Sequence, residues 1–148
     1  MAYHRQSWVM AAAAFLSVGL ACGTASANPT GVTYLATVKT SFGTKFKDCY
    51  AFDASNTLTV TGLGALEYQL LGFGSSPGRF EAVAPISLAT QFGFAISFSG
   101  YAFGTADHGA LHAVGINQAG DTYEIHGYPV TTCTVNASIP GSLYQPPQ

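Results

Sequence analysis

Charged side chains are scarce in this chain. Its 148 residues include only five Lys and Arg and seven Asp and Glu, so that 8% are charged, whereas about a quarter of the residues of a soluble domain usually are. Nucleic acid is therefore not an expected partner, because binding to phosphates requires clustered basic side chains. Low charge also permits close contact between protein surfaces, which is compatible with a homo-oligomer.

The chain also lacks the motifs of common catalytic sites. It has no C-x-x-C pair of the kind that redox and metal-binding cysteines usually form. Residues 72–75 lack the second glycine and the strand-to-helix turn of a nucleophile elbow, and the glycines at 62, 64, 100 and 104 are too isolated for a phosphate-binding loop. The favoured interpretation is a protein that is not an enzyme.

Residues 1–27 have the three parts of a secretory signal peptide. Arg5 precedes an uncharged stretch at 8–22, and small residues lead to a cleavage point after Ala27. The stretch is shorter than the roughly 18 to 20 residues of a membrane-spanning helix. We therefore expect a secreted or periplasmic protein with no transmembrane segment after cleavage. In an alternative, Cys22 is acylated and becomes the N-terminus of a lipoprotein.

Removal of residues 1–27 leaves no tryptophan and only two cysteines, Cys49 and Cys133. Two thiols in an exported chain are expected to form one disulfide bond. Such a bond closes a loop of about 85 residues and contributes on the order of 4 kcal/mol. The remaining length suits one domain, which we assign to residues 28–138, followed by a flexible tail at 139–148.

Alternation of apolar and polar residues predicts strands along the whole mature chain. Gly or Pro separates most of them, and only residues 85–91 suit a short helical turn. The short links predict an all-β fold, a small antiparallel up-and-down β-barrel of about eight strands, with a two-sheet β-sandwich as the alternative. Closure is favoured because an open meander exposes two edges. The predicted strands are 32–40, 46–52, 57–61, 66–71, 79–83, 92–101, 110–116, 122–127 and 130–135.

Two turns set the register of their hairpins. At residues 117–121, a type I turn followed by Gly120 in the left-handed conformation places the two ends of the loop opposite each other. At residues 53–57 an asparagine tolerates the left-handed position, which places Phe52 opposite Leu58.

The first of these registers gathers the main cluster of catalytic residue types. It places His112 directly opposite His126, with β-carbons about 5 Å apart, and Glu124 on the same face. Two imidazoles and a carboxylate suit zinc or a similar divalent metal, and Asp107 and His108 lie in the preceding loop. The alternatives are surface histidines without a ligand, or a pH-sensitive pair that repel each other when both are protonated. No cofactor other than such a metal is expected.

The strand predicted at 92–101 has large side chains on one face and Gly, Ala and Ser on the other. The large face fits a barrel core, and the small-residue face either belongs to an ordinary core strand or lines a cavity or a partner. Strands such as 57–61 and 79–83 are too short for an outer-membrane barrel.

Three functions follow from these features. The first is a binding module that holds a small apolar or amphipathic ligand in the barrel. The second is a self-associating or cell-surface interaction protein, which low charge and the small-residue face favour. The third is a metal-dependent enzyme that uses His112, Glu124 and His126. The expected ligand-binding residues of the first are Phe94, Phe98, Tyr101 and Tyr123.

Overall fold

Eight antiparallel strands form a closed barrel in the computed structural model, which describes residues 28–71, 78–92, 95–103, 110–136 and 141–147. The strands follow one another in chain order, and the last pairs back with the first. The predicted up-and-down barrel is thereby confirmed. The predicted signal peptide at 1–27 lies outside the described residues. The elements are β1 (Thr33–Thr40), β2 (Lys45–Phe52), β3 (Thr57–Val60), β4 (Gly64–Leu70), β5 (Arg79–Val83), α1 (Ile86–Phe92), β6 (Ile96–Ala102), β7 (Leu111–Asn117), β8 (Thr122–Val130) and a 3-10 turn (Ser142–Tyr144).

Both predicted hairpin registers are confirmed. His112 pairs with His126 and Gly120 has a φ of 86°. In the second hairpin Phe52 pairs with Leu58, and Asn56 has a φ of 61°. A left-handed residue near the end of each loop therefore sets which side chains share a face.

The predicted strand 92–101 begins later than expected, at Ile96. The preceding helix α1 continues through Phe92, and its first turn is closed by hydrogen bonds from the amides of Leu88 and Ala89 to the carbonyl of Pro85. A short apolar run such as 92–96 fits a helix end and a strand start equally well, so periodicity alone misplaces this boundary.

The two strands predicted at 122–127 and 130–135 form one strand, β8, and residues 131–136 are not in a strand. The predicted break near Pro129 is wrong, because Pro129 lies within β8 opposite Tyr34. Pairing between β7 and β8 extends only to Gly127. Among the described residues, Pro129 therefore has a strand partner on one side only. A proline is tolerated at such an edge position because its unpaired side does not require an N–H donor.

Strict alternation directs the apolar side chains inwards, and every second residue of β7 is buried. Removing this apolar surface from water is the main source of stability. None of the helices in the described ranges has the length and apolar content needed to cross a membrane. The largest fully buried side chains are Tyr34, Tyr50, Tyr123, Tyr144, Phe52, Phe80, Phe98, Leu58, Leu63, Leu66, Leu111 and Ile125.

The C-terminal segment contributes to this core, which differs from the flexible tail expected at 139–148. Gly141 donates its amide hydrogen to the carbonyl of Gly62 at 2.6 Å. The 3-10 turn that follows places Tyr144 in the barrel, where it is fully buried. Its ring packs edge-on against Phe46 at 5.0 Å between centroids. One aromatic side chain therefore anchors a polar, proline-containing segment that has little other apolar content.

Asp48 is a carboxylate inside the barrel, with 1% of its surface exposed. The amides of Cys49 and Gly62 donate to it at 2.8–3.0 Å, and the hydroxyl of Tyr144 donates at 2.7 Å. The hydroxyl of Tyr50 in turn contacts that of Tyr144 at 2.8 Å. Burial raises the pKa of both tyrosines well above its usual value, so the phenols stay protonated as donors. Because a β-carbon on Gly62 would lie 2.5 Å from the carboxylate, the site requires glycine there.

Asp48 also gives the stability an identifiable pH dependence. Burial raises its pKa above the ordinary value, although its hydrogen bonds act in the opposite direction. The folded state therefore keeps a proton on Asp48 at a pH where the unfolded chain, with a pKa near 3.9, has released it. The contribution of Asp48 to stability is greatest below the unfolded pKa and declines as the pH rises through the folded pKa.

We expect the difference in unfolding free energy between wild type and Asp48→Asn to fall as the pH rises from about 3 towards neutrality. Asp53→Asn is the matched control, because hydrogen bonds from Thr57 and Ser55 lower the pKa of Asp53. The contribution of Asp53 is lost as the pH falls, so its difference should change in the opposite direction. Urea unfolding at several pH values measures both, and slopes of the same sign would contradict the expectation.

The predicted disulfide bond between Cys49 and Cys133 is present, with Cα atoms 6.0 Å apart. Cys49 lies on the outer face of β2 and Cys133 follows the end of β8, so the bond spans β1, which lies between those two strands. The sulfur of Cys133 also lies 3.9 Å from the carbonyl oxygen of Tyr34 in β1. The bond therefore fastens the chain after β8 across the outside of the sheet.

Candidate functional site

The four predicted ligand-binding residues do not share one surface. Phe98 and Tyr123 point into the barrel and are buried, whereas Tyr101 points outwards and is 43% exposed. Phe94 lies outside the described residues. Phe98 and Tyr101 are three positions apart in one strand, an odd spacing that places them on opposite faces of the sheet. The predicted set therefore combines two sides of the barrel.

The interior, where a ligand was expected, is occupied by packed side chains. The ring of Phe52 contacts those of Tyr68 and Phe80 edge-on, each with centroids 5.0 Å apart. Phe98 makes the same type of contact with Tyr50 at 6.0 Å and with Tyr144 at 6.5 Å. Such edge-on contacts between rings are favourable, so a ligand there would have to displace a well-packed core.

A groove of about 510 Å³ lies outside the barrel, across strands β5 to β8. Its floor includes Ser99, one residue of the small-residue face of β6, together with Gly100 of the same strand. A β-carbon at Gly100 would collide with the carbonyl oxygen of His112, which explains the glycine. The side chains around this floor are Arg79, Tyr101, His112, Val114, Glu124 and His126.

The groove brings together the three residues predicted as a metal cluster. The Nδ1 atoms of His112 and His126 lie 2.8 Å apart, and their rings are nearly perpendicular with centroids at 4.8 Å. The other ring nitrogen of His126, Nε2, lies 2.9 Å from Oε1 of Glu124. All three side chains belong to adjacent strands in direct register, so the backbone of the sheet holds them together.

When both imidazoles are neutral, these distances determine which ring nitrogen of His112 and of His126 carries the proton. The Nε2–H of His126 donates to the Glu124 carboxylate, so its Nδ1 carries a lone pair and accepts from the Nδ1–H of His112. This hydrogen bond from His126, together with the charge of nearby Lys39, lowers the pKa of Glu124. Glu124 is therefore ionised at neutral pH and orients the imidazole of His126.

The arrangement differs from the predicted three-ligand metal site in one respect. Glu124 contacts the nitrogen of His126 that faces away from His112, so it does not point to the same place as the two Nδ1 atoms. Among the described residues, no group of three or more His, Cys, Asp or Glu side chains is placed to hold a metal ion. Asp107 and His108 lie outside those residues.

Two important residues were not predicted from the sequence. Arg79 alternates with the buried Phe80 in β5, which places it outside and opposite Tyr101. Its position followed from the strand pattern, but its neighbours depended on the pairing of β5 with β6. Asp48 lies on the same face of β2 as Phe46 and Tyr50, and a charged residue on the apolar face of a strand was the signal for a buried polar network.

A second hollow of about 520 Å³ lies across strands β3 to β5, and its acidic side chains are Glu67 and Glu81. The hydroxyl of Tyr68 at its edge donates to the carbonyl of Asp53 at 2.5 Å. None of the described residues that line it is a histidine or a basic residue, so these residues offer fewer means of recognising a ligand than those of the groove.

Comparisons with protein-family models, with curated proteins and with solved structures give no match to this chain. Because a fold by itself does not define a function, the function is inferred from the chemistry of the groove.

Proposed function

We propose that this protein is an exported, non-enzymatic binding module whose ligand site is the outer groove rather than the barrel interior. The ligand is a small amphipathic molecule with an anionic group. The observation that carries the proposal is the combination, around one groove of about 510 Å³, of Arg79, the two histidines and the ring of Tyr101. This volume suits one small molecule.

The polar end of the ligand is assigned to Arg79. Its side chain is exposed and forms no ion pair with the other described residues. A guanidinium binds carboxylate, sulfonate or phosphate oxygens through two parallel N–H donors. The carboxylate of Glu124 accepts a hydrogen bond from His126. It therefore repels an anion bound at Arg79 less strongly than a carboxylate without a hydrogen-bond donor would.

The apolar end is assigned to Tyr101 and Val114. Val114 is 57% exposed on the outer face of β7, and the ring of Tyr101 stacks nearly parallel on that of Phe103. A flat apolar group placed over Ser99 and Gly100 would cover both surfaces and remove them from water.

A binding role fits the hydrogen bonds in the groove better than hydrolysis does. The two histidines contact each other and Glu124, and within the described ranges the hydroxyl of Ser99 forms no hydrogen bond with either of them. A serine nucleophile requires a base within hydrogen-bond distance. The disulfide bond supports an oxidising compartment outside the cytoplasm.

We expect 8-anilinonaphthalene-1-sulfonate, an anionic aromatic probe, to bind the native protein at one saturable site. Arg79→Gln should weaken this binding at least about tenfold, because a hydrogen bond to a charged group contributes roughly 1.5–3 kcal/mol and 1.4 kcal/mol is a factor of about ten. Fluorescence titration measures the affinity. Lys47→Gln is the matched control, since it removes one positive charge from the outer face of β2 outside the groove.

Equal weakening by Arg79→Gln and Lys47→Gln would show a general charge effect and overturn the assignment. Loss of binding in Ile116→Asp but not in Arg79→Gln would place the probe on an exposed apolar strip instead. That strip contains Val83, Val114 and Ile116, each at least half exposed. This result would favour the alternative function, a self-associating protein.

A further inference from the structure

We propose that His112 and His126 form a two-imidazole binding site for a divalent transition metal ion, coordinated through both Nδ1 atoms, with Glu124 as an outer carboxylate that orients His126. The site goes beyond the proposed binding of an organic ligand and does not depend on it. It is supported by the geometry of the histidine pair, by the partner of each ring nitrogen and by the uncharged side chains directly next to the pair in the sheet.

The two Nδ1 atoms already face each other across one gap. They lie 2.8 Å apart on directly paired residues, and the strands that carry them pair on both sides, β7 with β6 and β8 with β1. A tetrahedral ion with bonds of about 2.0–2.1 Å to nitrogen needs its two nitrogen ligands roughly 3.3 Å apart. Small rotations of two exposed side chains supply the difference. When the ion binds, the proton on Nδ1 of His112 transfers through solvent to Nε2 of the same ring, so that both Nδ1 atoms present a lone pair.

Glu124 occupies the position of an outer carboxylate. A histidine that binds a metal through one nitrogen usually donates the N–H of its other nitrogen to a carboxylate or carbonyl, which sets the tautomer and raises the basicity of the ligand. The 2.9 Å contact between Nε2 of His126 and Glu124 has this form. It leaves Nδ1 of His126 without a proton, as coordination requires.

The side chains directly next to the pair in the sheet carry no charge, and the charged Arg79 and Lys47 lie one strand further away on either side. Across the sheet, His112 is next to Tyr101 and His126 is next to Thr37, and both neighbours are uncharged. Lys39 pairs with Glu124 two residues away from His126, and its charge contributes to the lowered pKa of Glu124. The positive charges of the groove therefore do not lie between the two imidazoles.

The donor set indicates which ions bind. Imidazole nitrogens suit Cu²⁺, Ni²⁺ and Zn²⁺, whereas Ca²⁺ and Mg²⁺ prefer oxygen ligands. With two protein ligands, the remaining coordination positions face the open groove and are filled by water. The affinity for divalent ions of this series is greatest for Cu²⁺.

Titration of the tag-free protein with each ion tests the proposal after dialysis against a chelator and without any organic probe. We expect saturable binding of Cu²⁺, Ni²⁺ and Zn²⁺ at a ratio of one ion per chain, with Cu²⁺ bound most tightly and no competition from Mg²⁺. His112→Ala and His126→Ala should each abolish the site, and Glu124→Gln should weaken it about tenfold. His108→Ala, which removes a histidine outside the pair, should leave the affinity unchanged.

A second readout identifies the coordinating atoms. Nitrogen-15 spectra of the histidine rings with Zn²⁺ should show coordination shifts at Nδ1 of both residues and none at Nε2. Absence of saturable binding, coordination at Nε2, or loss of binding in His108→Ala would overturn the proposal. Arg79→Gln should leave metal affinity intact while weakening the organic probe, so the two proposals fail independently.

Discussion

Replacing Tyr144 with alanine is expected to lower the free energy of unfolding by about 3–5 kcal/mol, the range for truncation of a large buried aromatic residue. The ring of Tyr144 is fully buried against Phe46 and Phe98. Its loss leaves a cavity in the barrel and removes the phenol that donates to Asp48. The Asp48 carboxylate then stays buried with fewer donors, which adds to the cost.

Urea unfolding compares this variant with two controls. Leu143→Ala changes the neighbouring residue of the same 3-10 turn, which is 39% exposed, and should cost much less. Tyr144→Phe keeps most of the packing and removes only the hydroxyl, so it isolates the cost of the lost hydrogen bonds to Asp48 and Tyr50. If Tyr144→Ala and Leu143→Ala unfolded at the same urea concentration, the C-terminal segment would not be docked in the barrel.

Removal of the disulfide bond is expected to have a comparable effect, a loss of about 4 kcal/mol. The two cysteines are 84 residues apart, and a cross-link over a loop of this length restricts the unfolded chain strongly. The double variant Cys49→Ala, Cys133→Ala is preferable to serine, because Cys49 is buried and a hydroxyl there would need a partner.

The control for this prediction is a reducing agent. Reduction of the wild-type protein should shift its denaturation midpoint close to that of the double variant, and the double variant itself should not respond to the reductant. Equal midpoints for the oxidised wild type and the double variant would mean that the bond adds nothing to stability.

Local patterns were sufficient to predict the barrel. The loops at 53–57 and 117–121 each contain a residue that tolerates positive φ, and that one position aligned whole hairpins, including the opposition of His112 and His126. Strand alternation then assigned the faces. These features depend on neighbours in the sequence, so they can be derived without knowing the fold.

The docked tail was not predictable in the same way. Tyr144 is enclosed by rings from residues far away in the chain, such as Phe46 and Phe98. Apart from Leu143, its neighbours in the sequence are glycine, polar residues and prolines, which locally favour a mobile segment. Burial of Tyr144 is favourable only in the folded barrel, where these rings enclose its side chain and Asp48 accepts a hydrogen bond from its hydroxyl.

The position of the outer groove was also beyond local patterns. A barrel of this size either encloses a small cavity or is filled by its own side chains, and the choice depends on how Tyr50, Phe52 and Phe80 interdigitate across the interior. The groove depends on the pairing of β5, β6 and β7, which brings Arg79 into the same row as Tyr101 and His112. A meander pattern predicts this order of strands but not the stagger between them.

The pairing of β1 with β8 also determines when the protein finishes folding. It joins Thr33 to Val130, almost a hundred residues apart, and such distant contacts are slow to form because a long loop must close first. During synthesis from the N-terminus, β1 can pair with β2 early. Its other edge stays unpaired until β8 has been made, near the end of synthesis. Its open edge is thus the longest-lived site for misassembly with another nascent copy, and the arrival of β8 removes it.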